Sequence, residues 1–437
     1  MKVLKFGGTS VGKPERMHQV ARLITAEKGR KIVVLSALSG TTNTLVNIGE
    51  AVKNGELEAC SKLCEDLHDH YNKYILELLQ DESHRKVAES IIDEHFSFFK
   101  SIQNKLYTDA VNKELLAQGE LLSTKLFSTY LQEKNIKSKL LSALDFMYID
   151  EDKEPDLDYI EGELASLLEE NRDIDLFVTQ GFICVNHLGT IDNLKRGGSD
   201  YSASLIGAAI RAQEVQIWTD IDGMHNNDPR IVDKTSPIAE LSFDEAAELA
   251  YFGAKILHPS SIWPAQKFNI PVWLKNTMEP QAHGTIIKGE SKMSGIKAIA
   301  AKDNITAIKI KSSRMLLAYG FLRRVFEIFE KYKTPIDMIT TSEVAVSLTI
   351  DDDKSLENIV NELKEFGIVT VDLDQTIICI VGDFVVENRS IVKNVFDSLT
   401  NIPLRMISYG GSRHNISLLI NSNLKKETLQ SLNDGLF

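Results

Sequence analysis

Val3-Leu4-Lys5-Phe6-Gly7-Gly8-Thr9-Ser10 opens the chain and decides its fold. An apolar strand runs directly into paired glycines, where backbone N–H groups can approach an anion with no Cβ in the way, and Lys5 adds a compact charge beside them. The stretch predicts a strand, a tight turn and a helix, with a phosphate cradle at the turn. It is not a Walker loop. Gly7 to Lys13 fits G-x-x-x-x-G-K, but Pro14 stands where that loop needs a hydroxyl for Mg²⁺. Pro14 reads instead as an early helix residue, where its missing N–H costs nothing.

Working outward, Ile32–Leu35, Leu176–Val178 and Gln216–Trp218 read as further buried parallel strands ending in small or polar residues. In open α/β sheets ligands bind off the carboxyl ends of strands, so these ends are expected to converge on one crevice. From about Thr44 to Gln132 the pattern is helical, with Leu63, Leu67, Tyr71, Tyr74 and Leu78 forming a core stripe. His68-Asp69-His70 lies within it, but adjacent helical residues point apart, which favours a solvated face over a metal site.

A chain of 437 residues exceeds one ordinary core, so two or three domains are expected. Hydrophobic residues at 43% with 25% charged residues fit a globular protein. No apolar run approaches the ~20 residues of a membrane span, and no basic-then-apolar leader precedes the first strand; a cytoplasmic protein without membrane partners is expected. Cys60, Cys64, Cys184 and Cys379 fit no zinc or redox spacing and read as reduced, buried thiols. The net charge of −13 argues against nucleic acid.

After Lys275 comes an irregular stretch, and from Ile305 the pattern changes to strand, helix, two strands and a helix through Phe366. A second pass begins near Thr376 and closes with a helix from Lys425. The two βαββα-like units, ~60 residues each, form an internal repeat.

Three more blocks follow Lys5-Phe6-Gly7-Gly8-Thr9-Ser10 in order: Gly119-Glu120-Leu121-Leu122-Ser123, Arg196-Gly197-Gly198-Ser199-Asp200 and Gly253-Ala254-Lys255-Ile256-Leu257-His258-Pro259. Together they resemble the signature of aspartate kinases, and the C-terminal repeat looks like paired ACT modules. The resemblance implies an α/β/α sandwich on a mainly parallel sheet, of the amino acid kinase kind, followed by two α+β ACT-like (βαββαβ) modules. It also implies boundaries: a catalytic domain at 1–285, a linker at 286–302, and modules at 303–372 and 373–437. No room remains after Phe437 for the homoserine dehydrogenase fused to some members, so a monofunctional chain is expected.

What the resemblance implies for chemistry is phosphoryl transfer from ATP with Mg²⁺ to L-aspartate, at the head of lysine, threonine and methionine synthesis. A carboxylate is already ionised at pH 7, so positioning, Mg²⁺ and cations should do the work rather than a general base. Both substrates are anionic while the protein is acidic, and Lys5, Lys195, Arg196, Arg230 and Lys255 are candidates to offset that field. Lys5, Asp200 and Lys255 match the family's catalytic positions. Ser36, Thr42, Glu120, Arg196, Gly197, Gly198 and Ser199 match its substrate contacts, with Glu120 on the amino group and Arg196 gripping a carboxylate. Lys5, Gly7, Gly8, Thr9, Thr219, Asp220, His225, Arg230 and Lys255 match its nucleotide contacts, and Gly7 and Gly8 are expected to donate N–H groups. There are two departures from the pattern. His225 stands where many members have Tyr, and Asp192-Asn193-Leu194-Lys195 replaces a Thr-Thr-Leu-Gly run. His258 reads as a structural turn residue.

In lysine-sensitive relatives, positions matching Gly320, Phe321 and Leu322 receive the effector carboxylate. A residue matching Asp337 faces its amino group, with Met315, Ile336, Ser342 and Glu343 nearby. Helix N-termini favour anions, which suits that arrangement. A lysine effector and a homodimer or homotetramer formed through the ACT modules are therefore expected. The alternatives are another kinase on the same scaffold, for acetylglutamate or a nucleotide monophosphate, and a catalytically silent amino-acid sensor.

Overall fold

In the computed structural model the described residues are 1–103, 106–194, 197–253, 257–291, 294–312, 319–383 and 389–437. They form two compact units: 1–224 with 239–243 and 257–290, and 225–238 with 244–256 and 291–437.

The first unit is built on an eight-stranded sheet. In chain order its strands are β1 (Lys2–Phe6), β2 (Lys31–Leu35), β3 (Lys139–Leu141), β5 (Leu176–Gln180), β8 (Val215–Thr219), β9 (Glu240–Ser242), β10 (Val272–Asn276) and β11 (Thr285–Lys288). A small side sheet holds β4 (Tyr148–Ile149), β6 (Ile183–Asn186) and β7 (Ile191–Asn193). The large sheet runs β3-β5-β2-β1-β8-β10-β11-β9, and every neighbouring pair is parallel except β10 with β11. β1 sits centrally, with β2 on one flank and β8 on the other. The chain leaves β1 toward one side and returns on the other, so the crevice expected of such sheets opens where β1 ends. The four predicted strands all lie in this sheet. The stretch after Lys275, read as irregular, contains β11.

The helical region divides into Thr41–Asn54, Leu57–Leu78, Glu82–Ile102 and Asp109–Glu133. Leu67, Tyr71, Tyr74 and Leu78 are buried, as their spacing predicted. His68 and His70 face outward, and His68 stacks edge-on against Phe96. Pro14 begins the Pro14–Ala26 helix, and all four cysteines are free and buried. No helix among the described residues is long and apolar enough to cross a membrane.

The second unit carries a six-stranded antiparallel sheet, ordered β13-β14-β12-β15-β17-β16. Its strands are β12 (Gly295–Lys311), β13 (Ile339–Thr341), β14 (Ala345–Ile350), β15 (Ile368–Asp383), β16 (Met406–Tyr409) and β17 (Asn415–Asn421). β12 starts ten residues before the strand predicted at Ile305, inside the expected linker, and pairs with β15 from Gly295↔Asp383 to Lys311↔Ile368. Each long strand serves two cores. Ile308 and Ile310 pack with Phe321, Val325, Val346 and Leu348, whereas Ile299, from the front of β12, packs with Ile378, Ile380, Val395 and Leu418. The first module is thus nested within the second rather than preceding it. The Ala-rich front of β12 lacks the bulky alternation that marks a strand in sequence, which is why it read as irregular.

β12 also supplies Lys297, whose Nζ lies 2.6 Å from Glu245 Oε2 on the Phe243–Tyr251 helix, the two side chains 2% and 1% exposed. Removing one partner of such a pair strands the other charge in a dry site, at a cost of about 3–5 kcal/mol, whereas replacing both with apolar groups is close to neutral. Glu245→Leu alone is therefore expected to lower the thermal midpoint, and Glu245→Leu with Lys297→Met to restore most of it in calorimetry. Additive losses would contradict this reading.

Candidate active site

Glu120 sits on the Asp109–Glu133 helix, which is buried along most of its length. At Gly119 a Cβ would come within 2.8 Å of Ala37 Cβ, so the glycine lets this helix press onto the turn that follows β2. Contact at that range has two chemical consequences. Ser123 Oγ donates to the Ser36 carbonyl at 2.7 Å, and the Ala37 N–H donates to Glu120 Oε1 at 3.2 Å. The Gly-Glu-x-x-Ser spacing is explained by these three contacts on one turn.

Among the described residues, a hydrogen bond reaches only one Glu120 oxygen. Oε2 is buried without a hydrogen-bond partner among the described residues, in a side chain 4% exposed. Burial pushes the carboxyl up to about 8, against the Ala37 N–H and the charge of Lys5, which favour the anion. A buried acceptor left bare costs about 1–3 kcal/mol, and groups kept that way are concentrated at sites that bind something.

The carboxyl faces a cavity of about 410 Å³ at the ends of β1, β2 and β5. Gly8 and Thr9 line it from the first strand end, Ser36 to Gly40 with Thr42 and Asn43 from the second, and Phe182 from the third. Gly198 and Ser199 close it from the start of the Gly198–Ala209 helix. Gly197 caps that helix at φ +95°, a backbone that side-chain-bearing residues rarely adopt. Ser36 Oγ donates to Ser199 Oγ at 2.9 Å, tying the strand end to the helix start. Three of the four sequence blocks therefore meet around one hollow.

Lys5 and Asp200 belong to the same two elements. Lys5 Nζ lies 2.6 Å from Asp200 Oδ1, with side chains 11% and 16% exposed. A cation on the central strand is held in place by a carboxylate on the facing helix. Gly7 does not behave as expected. Its N–H donates to the Trp218 carbonyl at 3.2 Å and is spent on the sheet, whereas the Gly8 N–H has no partner among the described residues. Thr9 takes Arg16 Nη1 on its carbonyl at 2.6 Å.

Asp192, one of the departures, is 4% exposed. Burial alone would raise its carboxyl, but Lys113 at 2.8 Å, the Asn193 N–H and Asn186 hold it below the usual range. It braces β7 against the helix that carries Glu120. His258 caps the Pro259–Lys267 helix by accepting from the Ser260 N–H, as a turn residue would.

Thr219 and Asp220 follow β8 in the first unit, with Thr219 Oγ1 donating to Asp220 Oδ1 at 3.1 Å. His225 and Arg230 belong to the second unit. There His225 Nδ1 meets Thr235 Oγ1 at 3.0 Å, and exposed Arg230 grips Asp228 through Nε and Nη2. Lys195, Arg196 and Lys255 lie outside the described residues, as does Met315. Of the other positions expected to meet an effector, Gly320 caps the Phe321–Lys331 helix, Phe321 and Leu322 pack into the first module's core with Ile336, and the Asp337 side chain is buried. Ser342 and Glu343 form the exposed turn between β13 and β14.

Sequence reasoning missed Phe182. It holds φ +67°, an outlier for a bulky residue, and its N–H donates to Ser202 Oγ at 2.8 Å. No side-chain pattern announces such a backbone. Among the described residues, no cluster of three or more His, Cys, Asp or Glu could cage a metal.

A cavity lined by a buried carboxyl and several hydroxyls, with the Lys5–Asp200 pair on two of the elements that border it, suits a small zwitterionic or anionic ligand. Comparison with known proteins agrees. The amino acid kinase family model matches residues 1–276, and an ACT domain model matches 378–436. Aspartokinase 3, chloroplastic, of Arabidopsis thaliana is 36% identical over the whole chain and 81% of its own length. The crystal structure of E. coli aspartokinase III in complex with aspartate and ADP (R-state) superposes with a TM-score of 0.85 at 32% identity, covering 100% of both chains. The same protein in complex with lysine and aspartate (T-state) gives 0.82 at 32% identity, over 100% of this chain and 99% of that one. With a family model across more than half its length and relatives matched from end to end, the chain belongs to the amino acid kinase family, among the aspartokinases.

Proposed function

We propose that the chain transfers the terminal phosphoryl group of ATP to the side-chain carboxylate of L-aspartate, giving 4-phospho-L-aspartate, and that lysine inhibits it. The observation that carries the first part is the bare Oε2 of Glu120 facing the cavity. A buried carboxylate oxygen of this kind accepts an ammonium, and the aspartate and ADP complex of a full-length relative supports aspartate as the ligand that brings one.

In this reading Glu120 holds the amino group, while Ser36, Thr42, Ser199 and the backbone at Gly197 and Gly198 receive the carboxylates, with Arg196 adding a fork of donors. Lys5, fixed by Asp200, meets the transferred phosphoryl group, and the Gly8 N–H joins it. Thr9, Thr219, Asp220, His225, Arg230 and Lys255 are assigned to the nucleotide. The acceptor is an anion already, so the side chains orient it and neutralise charge without removing a proton.

Mg²⁺ fits this donor set as an ion carried by the phosphates. Asp200 offers one carboxylate, and a hard cation of that size is commonly bound through one or two carboxylates together with substrate phosphates. When bound, it neutralises developing charge on the phosphate oxygens.

For control, Asp337 is assigned to the effector's ammonium and the amides at Gly320, Phe321 and Leu322 to its carboxylate, with Met315, Ile336, Ser342 and Glu343 around them. A relative's complex with lysine supports the ligand. Entry to lysine, threonine and methionine synthesis and assembly through the ACT modules belong to the same proposal. The test is a coupled assay with ATP, Mg²⁺ and aspartate, repeated with lysine. Aspartate-dependent ADP release that lysine lowers supports it, and no turnover with aspartate rejects it.

Lys5→Ala is expected to cost on the order of 10²-fold in turnover at saturating MgATP, because a charge in a water-poor site is removed. Lys5→Arg should recover only part, since a forked guanidinium does not replace a compact ammonium. Near-normal turnover in Lys5→Ala would remove Lys5 from the mechanism.

Glu120 predicts a pH dependence. With the carboxyl at about 8, the free protein holds it protonated at neutral pH, and an incoming ammonium requires the anion. Binding therefore releases a proton, and aspartate affinity should rise by up to about tenfold per pH unit as pH climbs toward 8. The stability sign is opposite. A raised carboxyl contributes stability that is complete below pH ~4.3, its unfolded value, and is lost as pH rises through about 8. Calorimetry in buffers of different ionisation enthalpy measures the released proton directly. Glu120→Gln should bind weakly and without that slope; a slope retained in Glu120→Gln would assign it elsewhere.

A further inference from the structure

The second unit holds a carboxylate that its own chain satisfies by half. Asp337 lies in the loop before β13, its side chain 1% exposed. Both donors that reach it land on one oxygen: Lys302 Nζ at 2.7 Å and the Tyr251 hydroxyl at 2.9 Å, each on Oδ1. Oδ2 is buried without a hydrogen-bond partner among the described residues. Burial raises the Asp337 carboxyl while Lys302 and Tyr251 favour its anion. Lys302 has a second acceptor, Asp351 Oδ2, at 2.9 Å, on a side chain 36% exposed.

Lys302 presents to Asp337 a four-carbon stem ending in a primary ammonium, the same group that free lysine carries. We propose that Lys302 is a built-in occupant of the effector's ammonium position: an incoming ammonium takes Asp337, and Lys302 withdraws to Asp351. This deepens the lysine-control reading above and rests on it. One buried carboxylate cannot neutralise two buried ammoniums, so the two cations compete. The asymmetry between the acceptors makes exchange feasible. Asp337 is dry and needs a cation, whereas Lys302 keeps a partly solvated partner when it leaves.

The exchange reaches a second element. Lys302 Nζ lies 4.6 Å from the Tyr251 ring centroid, so its withdrawal removes a cation from that face. Two residues on, Gly253 sits at φ +118°, where a Cβ would collide with the Ala301 carbonyl, next to Lys302. The end of the Phe243–Tyr251 helix is therefore seated on β12 at the exchanging lysine, and the sequence continues from there to Lys255.

Two substitutions carry opposite signs, which a merely structural cluster would not give. Lys302→Met removes the internal competitor and should tighten lysine binding about tenfold in calorimetry. Lys302→Gln, which keeps a donor for Asp337 without the charge, serves where the Met variant folds poorly. Asp351→Asn removes the retreat and should weaken lysine binding by several-fold. If the wild type binds lysine and the Lys302 variants bind it no tighter, the inference is wrong and the control reading stands. If the wild type binds none but Lys302→Met does, the inference holds and only lysine control of the wild type is lost. If neither binds lysine, both fall.

Discussion

A carboxylate kept out of water with one oxygen bare is the constraint around which the first unit is arranged. Glu120 reaches that condition only because Gly119 lets its helix close on Ala37, and because the turn after β2 ends in small residues. The same contact fixes Ser36, which holds Ser199, which sets the helix start that carries Asp200 to Lys5. Strand order then matters for a physical reason. With β1 between β2 and β8, Lys5 lies on the strand beside β2, and the helix carrying Glu120 closes on the turn that follows β2.

The buried carboxylates of this chain sort by how completely they are met. Asp192 takes Lys113, Asn186 and the Asn193 N–H, and holds β7 to the helix that carries Glu120. Glu120 and Asp337 each keep one oxygen without a hydrogen bond among the described residues. A fold gains nothing from an unmet buried acceptor, so such groups point to ligands more reliably than exposed charge does. The acidic surface of this protein, at a net −13, says little by comparison.

Much of this was legible from the sequence because its determinants are local. Paired glycines after an apolar run, the Gly-Glu-x-x-Ser turn and the Gly-Gly-Ser-Asp helix start each encode a backbone shape within a few residues. Three features were not, and all three depend on partners far along the chain. Gly7 spends its N–H on Trp218, a bond that exists only once β1 and β8 pair. Phe182 adopts a left-handed backbone that nothing in its neighbours requires. The nesting of one regulatory module in the other rests on the pairing of Gly295–Lys302 with Ile377–Asp383, across a separation that no periodicity reports. Asp337 was legible as a candidate acid, but not Lys302 beside it, which comes from β12.

The central claim is that Glu120 Oε2 is bare because a substrate ammonium completes it. A crystal structure with aspartate and a non-hydrolysable ATP analogue tests this most directly. The account places the aspartate amino group within about 3 Å of Glu120 Oε2, a charge-assisted hydrogen-bond distance. Aspartate bound with its amino group elsewhere, and Oε2 still without a partner, would contradict it.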